Sequence, residues 1–171
     1  WPDTNDGIAA NSLIGTLRSR CANAFAFDLP TEAQWEYACR AGNQTALHNG
    51  KDLTSVTSAC PNRAEIAWDA FNSGYQHHRV GEKQPNAWGL YDMIGNVYEV
   101  VRDRYEDQLG NMSVVDPVGS LTSTNRVQKG GACNGKVDPR CGYRGIYASG
   151  GTGGLRLAIR PLEGTPVPPE N

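Results

Sequence analysis

The sequence predicts an α+β fold in which two short helices come first, short strands follow, and irregular coil fills much of the remainder. Three observations carry this prediction. Leu29-Pro30-Thr31-Glu32-Ala33-Gln34 offers Thr31 as an N-cap and Gln34 as its capping-box partner ahead of a helical apolar pattern. Val97, Tyr98, Val100 and Val101 follow a Gly95-Asn96 turn and favour a strand. Residues 43–84 are polar, punctuated by Gly and Asn, and carry isolated aromatics, which suits coil pinned at a few points.

Taken in order, residues 8–21 place Leu13, Ile14, Leu17 and Cys21 at helical spacing with Arg18 and Arg20 opposite, although Gly15 weakens the pattern. The second helix runs from Thr31 to Gly42, which occupies the position just past a helix end, and its Trp35, Ala38 and Cys39 share one face. Trp68, Phe71 and Tyr75 are the pins of the coil. Arg126-Val127-Gln128 predicts a short strand, and residues 155–159 a last one. The tail 161–171 holds four prolines and reads as a linker or frayed end. Trp35, Tyr37, Trp88, Leu90, Tyr91, Val97, Leu155 and Leu157 are the expected core.

With 171 residues and 39% hydrophobic content, the chain can bury one core, so a single domain over residues 1–160 is expected. Sixteen basic and 18 acidic residues without a Lys/Arg cluster exclude a nucleic-acid footprint. No apolar run reaches the ~18 residues of a membrane span, and no basic stretch leads into an apolar one as in a signal peptide. A trimmed chain would read the same way. The five cysteines, Cys21, Cys39, Cys60, Cys133 and Cys141, show no CxxC pair and no histidine at zinc-finger spacing. Their odd number leaves at least one thiol free. Cys39 is read as a small buried hydrophobe, while the other four could pair in an oxidising compartment, with connectivity open. His77 and His78 are neighbours that an extended chain points to opposite faces, which predicts exposed histidines rather than a metal pair.

Residues 130–154 stand apart. Nine of these 25 residues are Gly, mixed with Tyr, Ser, Thr and Ala, and residues 145–153 carry no charge. Such a stretch is poor in the apolar side chains that build a core strand, and Gly-rich backbone with scattered Tyr is the chemistry of adaptable contact surfaces. A long structural loop in a Gly-rich fold is the alternative.

Phe27-Asp28-Leu29-Pro30-Thr31-Glu32-Ala33-Gln34-Trp35-Glu36-Tyr37-Ala38, the block 85–93, Gly95-Asn96-Val97-Tyr98-Glu99, Lys129-Gly130-Gly131, Arg140-Cys141-Gly142-Tyr143-Arg144 and Gly154-Leu155-Arg156-Leu157-Ala158 form an ordered motif series. It resembles that of the formylglycine-generating enzyme, or sulfatase-modifying factor, family, whose forms read LPTEAEWEYA, PNAWGLYDM, GNVWEW, RGGSW, RSAYR and GFRLA. The resemblance implies a C-type-lectin-like fold with two helices, a twisted antiparallel sheet and much irregular coil. It also implies that the family's N-terminal strand segment is missing from this chain.

Enzymes of the family bind copper through two cysteines between the RGGS and arginine motifs, where reactive thiolates are needed. The matching places here fall near Gly135 and at Pro139. Cys133 stands where the family carries Trp or Phe, and Cys141 lies inside the arginine motif; together they are the alternative copper pair of a formylglycine-generating oxidase. Sulfoxide-synthase relatives draw their iron from a separate helical domain that this chain lacks. No catalytic residue is therefore expected.

A second branch, the variable proteins of diversity-generating retroelements, resembles this chain more fully. It uses the fold to display a hypervariable C-terminal stretch whose codons scatter into Gly, Ser, Thr, Ala, Tyr, Ile, Val, Asp and Cys, the types found at 132–153, while Gly130, Gly131, Arg140, Arg144 and Arg156 stay as framework. This implies a non-enzymatic display protein at a bacterial cell surface or secreted, lipid-anchored through a segment outside this chain, with an unknown protein or surface ligand as partner. Ligand contacts are expected at Asn134, Val137, Asp138, Tyr143, Ile146, Tyr147, Ser149 and Thr152, with Tyr143, Ile146 and Tyr147 as anchors. Such positions must lie outside the core. Arg140, Arg144 and Arg156 are expected to tie carbonyls of the coil. Relatives also bind Ca²⁺ through the turn matching Asn96 and Glu99; the alternative is that Asn96 makes the turn and Glu99 pairs with a donor. Calcium-type carbohydrate binding is weakly supported, since the last segment holds only Asn134 and Asp138 as candidate ligands.

Overall fold

Local capping sets the best-defined helix. Thr31 accepts from the Gln34 amide and the Gln34 side chain accepts from the Thr31 N–H, closing the predicted capping box of α2 (Glu32–Arg40). Asp103 adds a second acceptor, taking the Glu32 N–H at 2.7 Å. At the other end Ala41 takes the left-handed conformation one residue before Gly42, and Asn86 donates to the carbonyls of Ala38 and Cys39. Trp35 and Cys39, one turn apart, face inward.

The protein is seen in a computed structural model that describes residues 8–21, 26–109, 117, 119–120, 122–135, 139–148 and 153–160. The chain divides into two units, Trp1–Leu29 with Leu157–Asn171, and Pro30–Arg156. The tail 161–171 lies outside the described residues.

In the first unit, α1 (Leu13–Arg20) begins later than the apolar spacing predicts, because Ser12 caps it and residues 9–11 form the turn before it. Gly15 is required there, as a Cβ would run into the Ala9 carbonyl. Ile14 is buried, whereas Leu13, ~100° round the helix, is exposed. Arg18 donates to the Phe27 carbonyl at 2.8 Å and pairs with Asp28. β1 (Ala26–Asp28), which spacing did not predict, pairs antiparallel with β6 (Ala158–Arg160).

The second unit is a four-stranded sheet of order β4-β3-β2-β5. Strands were expected near both β2 (Glu99–Arg104) and β3 (Arg126–Lys129), the first starting two residues later than the Val97 expected; the two pair antiparallel, with a register shift between Val100 and Arg104. β4 (Gly145–Tyr147) adds antiparallel to β3, and β5 (Gly154–Leu155) adds parallel to β2. The expected single strand over 155–159 is thus broken: β5 and β6 belong to different sheets, and Leu155 and Leu157 are exposed rather than core. The polar coil has the sparse regular structure expected, limited to the short α3 (Pro61–Ala64), but of its three expected pins Phe71 and Tyr75 are exposed and only Trp68 is half-buried.

Six of the ten residues in the buried cluster come from coil: Leu47, Ile66, Ala67, Met93, Ile94 and Cys141 join Trp35 and Cys39 of α2, Val101 of β2 and Val127 of β3. Of the expected core only Trp35 is fully buried. Leu90 and Val97 are half-buried, and Tyr91 is exposed. Tyr37 and Trp88, 69% and 49% exposed, meet edge to face on the surface with centroids 5.0 Å apart. Close backbone approach replaces aromatic bulk: Gly95 donates to the Gly130 carbonyl at 2.8 Å. Both have positive φ, and a Cβ on Gly95 would stand 2.5 Å from the Trp68 carbonyl oxygen.

Candidate ligand-binding segment

The segment enters from β3 through Gly130 and Gly131. Ala132–Gly135 then form a turn: the Cys133 N–H donates to Asn96 O at 3.0 Å, Ser73 Oγ donates to Cys133 O at 2.9 Å, and Gly135 N donates to Ala132 O. These bonds hold the main chain while the Asn134 side chain stays exposed. After Pro139, the Cys141 N–H donates to Ala46 O at 3.0 Å, returning the chain to the core.

Arg144 and Arg156 tie coil carbonyls as expected from the donors of arginine, with carboxylates added. Arg144 Nε bonds Glu32 at 2.9 and 3.2 Å, its Nη1 donates to the Glu106 carbonyl, and its guanidinium lies over the Tyr105 ring. Arg156 donates to Tyr91 O and to both oxygens of Glu99. Arg140 is exposed. Lys129, fully buried, lies between Glu32 at 3.4 Å and Glu36 at 3.1 Å. Glu32 therefore serves two cations from β3 and the segment, which fixes the base of the segment to α2.

Above this base the side chains are open. Ile146 sits opposite the buried Val127, yet is 50% exposed because β4 is the edge of its sheet. Tyr143 and Tyr147 are half-buried. Residues 145–147 are a strand, where composition suggested none. Val137, Asp138, Ser149 and Thr152 lie outside the described residues.

Tyr98 was missed by sequence reasoning. Its ring lies 6.4 Å from that of Tyr143, its carbonyl accepts from Gly154 N at 2.6 Å, and its hydroxyl approaches to 2.5 Å of where a Gly135 Cβ would sit. Burial, the neighbouring Tyr143 and a hydrogen bond with it push the Tyr98 phenol up to about 12. The available signal was the departure from the family form, Tyr where GNVWEW carries Trp.

The Asn96–Glu99 turn is closed by internal bonds. Asn96, at φ 60, accepts from His78 N and donates to His78 O. Glu99 accepts from Trp35 Nε1 at 2.7 Å and from Arg156. A guanidinium thus occupies the carboxylate face a Ca²⁺ would need, and the alternative of a structural turn describes the site. Among the described residues no three His, Cys, Asp or Glu side chains converge on a metal position. His77 is exposed as expected, but His78 is half-buried, stacked on Trp68 at 3.7 Å.

The copper pair does not fit either. Cys133 and Cys141 are both fully buried, and the Cys141 sulfur faces Cys39 at 3.3 Å. Burial raises the Cys133 thiol, the opposite of what a metal-binding thiolate requires.

The chain belongs to the family of the sulfatase-modifying factor enzyme 1-like domain, whose model matches residues 9–160. Formylglycine-generating enzyme of Bos taurus is 33% identical over 109 residues, covering 61% of this chain and 29% of the bovine protein. Among solved structures, Treponema denticola variable protein 1 superposes with a TM-score of 0.69 at 33% identity, covering 80% of this chain and 49% of that one. PvdO from Pseudomonas aeruginosa, at 24% identity, shares the fold with a TM-score of 0.67 over 87% of this chain and 57% of its own. The chain thus spans less than a third of the bovine relative and about half of the Treponema protein. The fold is the expected C-type-lectin-like one.

Proposed function

We propose that this chain is a non-enzymatic display protein whose segment 132–153 contacts a variable partner at a bacterial cell surface. One observation carries the proposal: the segment's backbone is bonded to the framework through Asn96, Ser73 and Ala46, and its Arg144 through Glu32, while Asn134 and Ile146 present their side chains to solvent. Residues outside the core can change without opening a cavity. The likeness to a Treponema protein named a variable protein supports the same reading. Asn134, Val137, Asp138, Tyr143, Ile146, Tyr147, Ser149 and Thr152 are the contact positions, and the Tyr98 ring lies beside that of Tyr143.

The competing reading, a copper-dependent formylglycine-generating oxidase, requires two accessible thiolates. Cys133 and Cys141 are buried, and the places that match the family's two cysteines by resemblance fall near Gly135 and at Pro139, where this chain has no Cys. Sequencing the same locus in sister isolates tests the display reading: residues 132–153 should vary far more than residues 29–42, and equal constancy would sink it. Stoichiometric copper uptake lost in Cys141→Ser would establish the oxidase instead.

A further inference from the structure

The chain holds two Asn-Gly pairs, Asn49-Gly50 and Asn134-Gly135, and the fold treats them differently. The Asn49 side chain is tied down: Nδ2 donates to Asn62 O at 2.9 Å and to Glu65 at 3.3 Å, and Oδ1 accepts from Lys51 N. The Asn134 side chain is exposed and bonds to nothing among the described residues. We propose that Asn134 is a modification site, its side-chain amide being lost to attack by the Gly135 nitrogen so that the folded protein acquires Asp or isoaspartate there. The chemistry does not rest on the display reading, since it needs only this turn.

Glycine at 135 is imposed by the framework. A Cβ there would stand 2.5 Å from the Tyr98 hydroxyl, although the Gly135 backbone lies outside the left-handed region. Without a Cβ the Gly135 nitrogen is open to approach, and its dihedrals have the widest freedom of any residue. The turn is pinned firmly on one side only. Cys133 N–H donates to Asn96 O at 3.0 Å and Cys133 O accepts from Ser73, whereas Gly135 N–H reaches Ala132 O at 3.2 Å, the long end of an ordinary hydrogen bond. Asn134 thus sits between a fixed residue and one able to swing its nitrogen onto Cγ.

The step balances with water as the only co-reactant. A bond forms between Gly135 N and Asn134 Cγ, the Cγ–Nδ2 bond breaks, and ammonia leaves with the Gly135 N–H proton. The five-membered imide takes up one water at either carbonyl, giving Asp where the original main chain is restored and isoaspartate where the chain runs on through the side chain. Nothing is oxidised or reduced. Position 134 then carries a carboxylate in place of a neutral amide, and in isoaspartate an extra backbone carbon. A display segment would present Asn, Asp and isoaspartate at one contact position from a single gene.

The test is to hold the folded chain at mildly alkaline pH, withdraw samples over time, digest them at acid pH and measure amide-to-acid conversion at each asparagine by tandem mass spectrometry. Asn134 should convert about tenfold faster than Asn49, the factor that roughly one lost hydrogen bond sets, and an isoaspartate-specific methyltransferase should label the Asn134 peptide. In urea, where neither pair is held, the two rates should converge. Tyr98→Phe removes the hydroxyl and leaves the ring carbon that bore it 3.4 Å from a Cβ at 135. Tyr98→Phe combined with Gly135→Ala should therefore slow conversion at Asn134 severalfold and leave Asn49 unchanged. Equal rates at Asn134 and Asn49 in the folded chain, or a ratio that urea does not alter, overturns the proposal. That comparison decides the matter even should the double variant fail to fold.

Discussion

Arg156 holds both carboxylate oxygens of Glu99, Nε at 3.1 Å and Nη2 at 2.8 Å, while Trp35 Nε1 donates to one of the same oxygens. One residue of the last motif, one of β2 and one of α2 are thereby locked in a single buried cluster. A carboxylate with this little solvent persists because its charge is matched and its lone pairs are filled.

Removing the cation should therefore cost more than an ordinary surface pair. Arg156→Ala is expected to lower stability by about 2 kcal/mol, discounted for the partial exposure of the guanidinium. Arg156→Lys should recover only part of this, since an ammonium cannot reproduce the two-pronged contact. Urea denaturation followed by tryptophan fluorescence reads both, and an unchanged midpoint in Arg156→Ala would contradict the assignment.

Asp103 gives a pH dependence of defined sign. Burial, opposed by the Glu32 N–H bond and reinforced by the Glu32 carboxylate, raises its pKa to about 6 from 3.8. The stabilising proton is fully bound in the native state below about pH 4 and is lost as pH rises through 6. Asp103→Asn removes that loss, so its stability relative to wild type should rise between about pH 3.5 and about pH 6.5, by up to about 3 kcal/mol, and stay level above that. A pH-independent difference would refute the burial argument.

His48 runs the other way. It is buried, neither ring nitrogen has a hydrogen-bond partner, and burial lowers its pKa to about 4 from 6.5. Stability from the neutral ring is present above about pH 6.5 and lost as pH falls through 4. His48→Leu should flatten the acid limb of the stability profile, and a limb as steep as that of the wild type would contradict this.

Display requires that segment positions be exchangeable while core positions are not. Asn134→Ser and Ile146→Thr are each expected to change stability by less than about 1 kcal/mol. Met93→Ala, in the buried cluster, should cost roughly 2 to 5 kcal/mol. Thermal scans of the three variants give the comparison, and equal losses would remove the physical basis for a tolerant segment.

These elements also mark what a sequence makes legible. The ends of α2 were readable because capping is settled within four residues, as Thr31 and Gln34 demonstrate. β2 was readable from the β-branched and aromatic residues between Val97 and Val101, while β3 holds one β-branched residue, Val127, and gave a weaker signal. The core was not: Tyr37 follows Trp35 by ~200° of helix rotation and so points away from it, and Trp88 packs on Tyr37 outside. The interior is instead supplied by Leu47, Ile66 and Met93 from coil, which has no period to detect. The contact of Cys39 with Cys141 was not legible, because the two are remote in sequence. Of the candidate contacts, Asn134 and Ile146 are exposed and Tyr143 and Tyr147 half-buried, whereas the strand at 145–147 escaped a composition argument, since edge pairing needs backbone more than side chains.

An interior assembled from coil also changes how folding must be watched. Far-ultraviolet circular dichroism reports helices and ladders, and the described residues hold few of either, so their contribution to the spectrum should resemble that of a half-melted protein even when the centre is closed. Amide hydrogen exchange should find slow protons in unexpected places, among them the Gly95 and Asn96 N–H groups that bond Gly130 and Trp68.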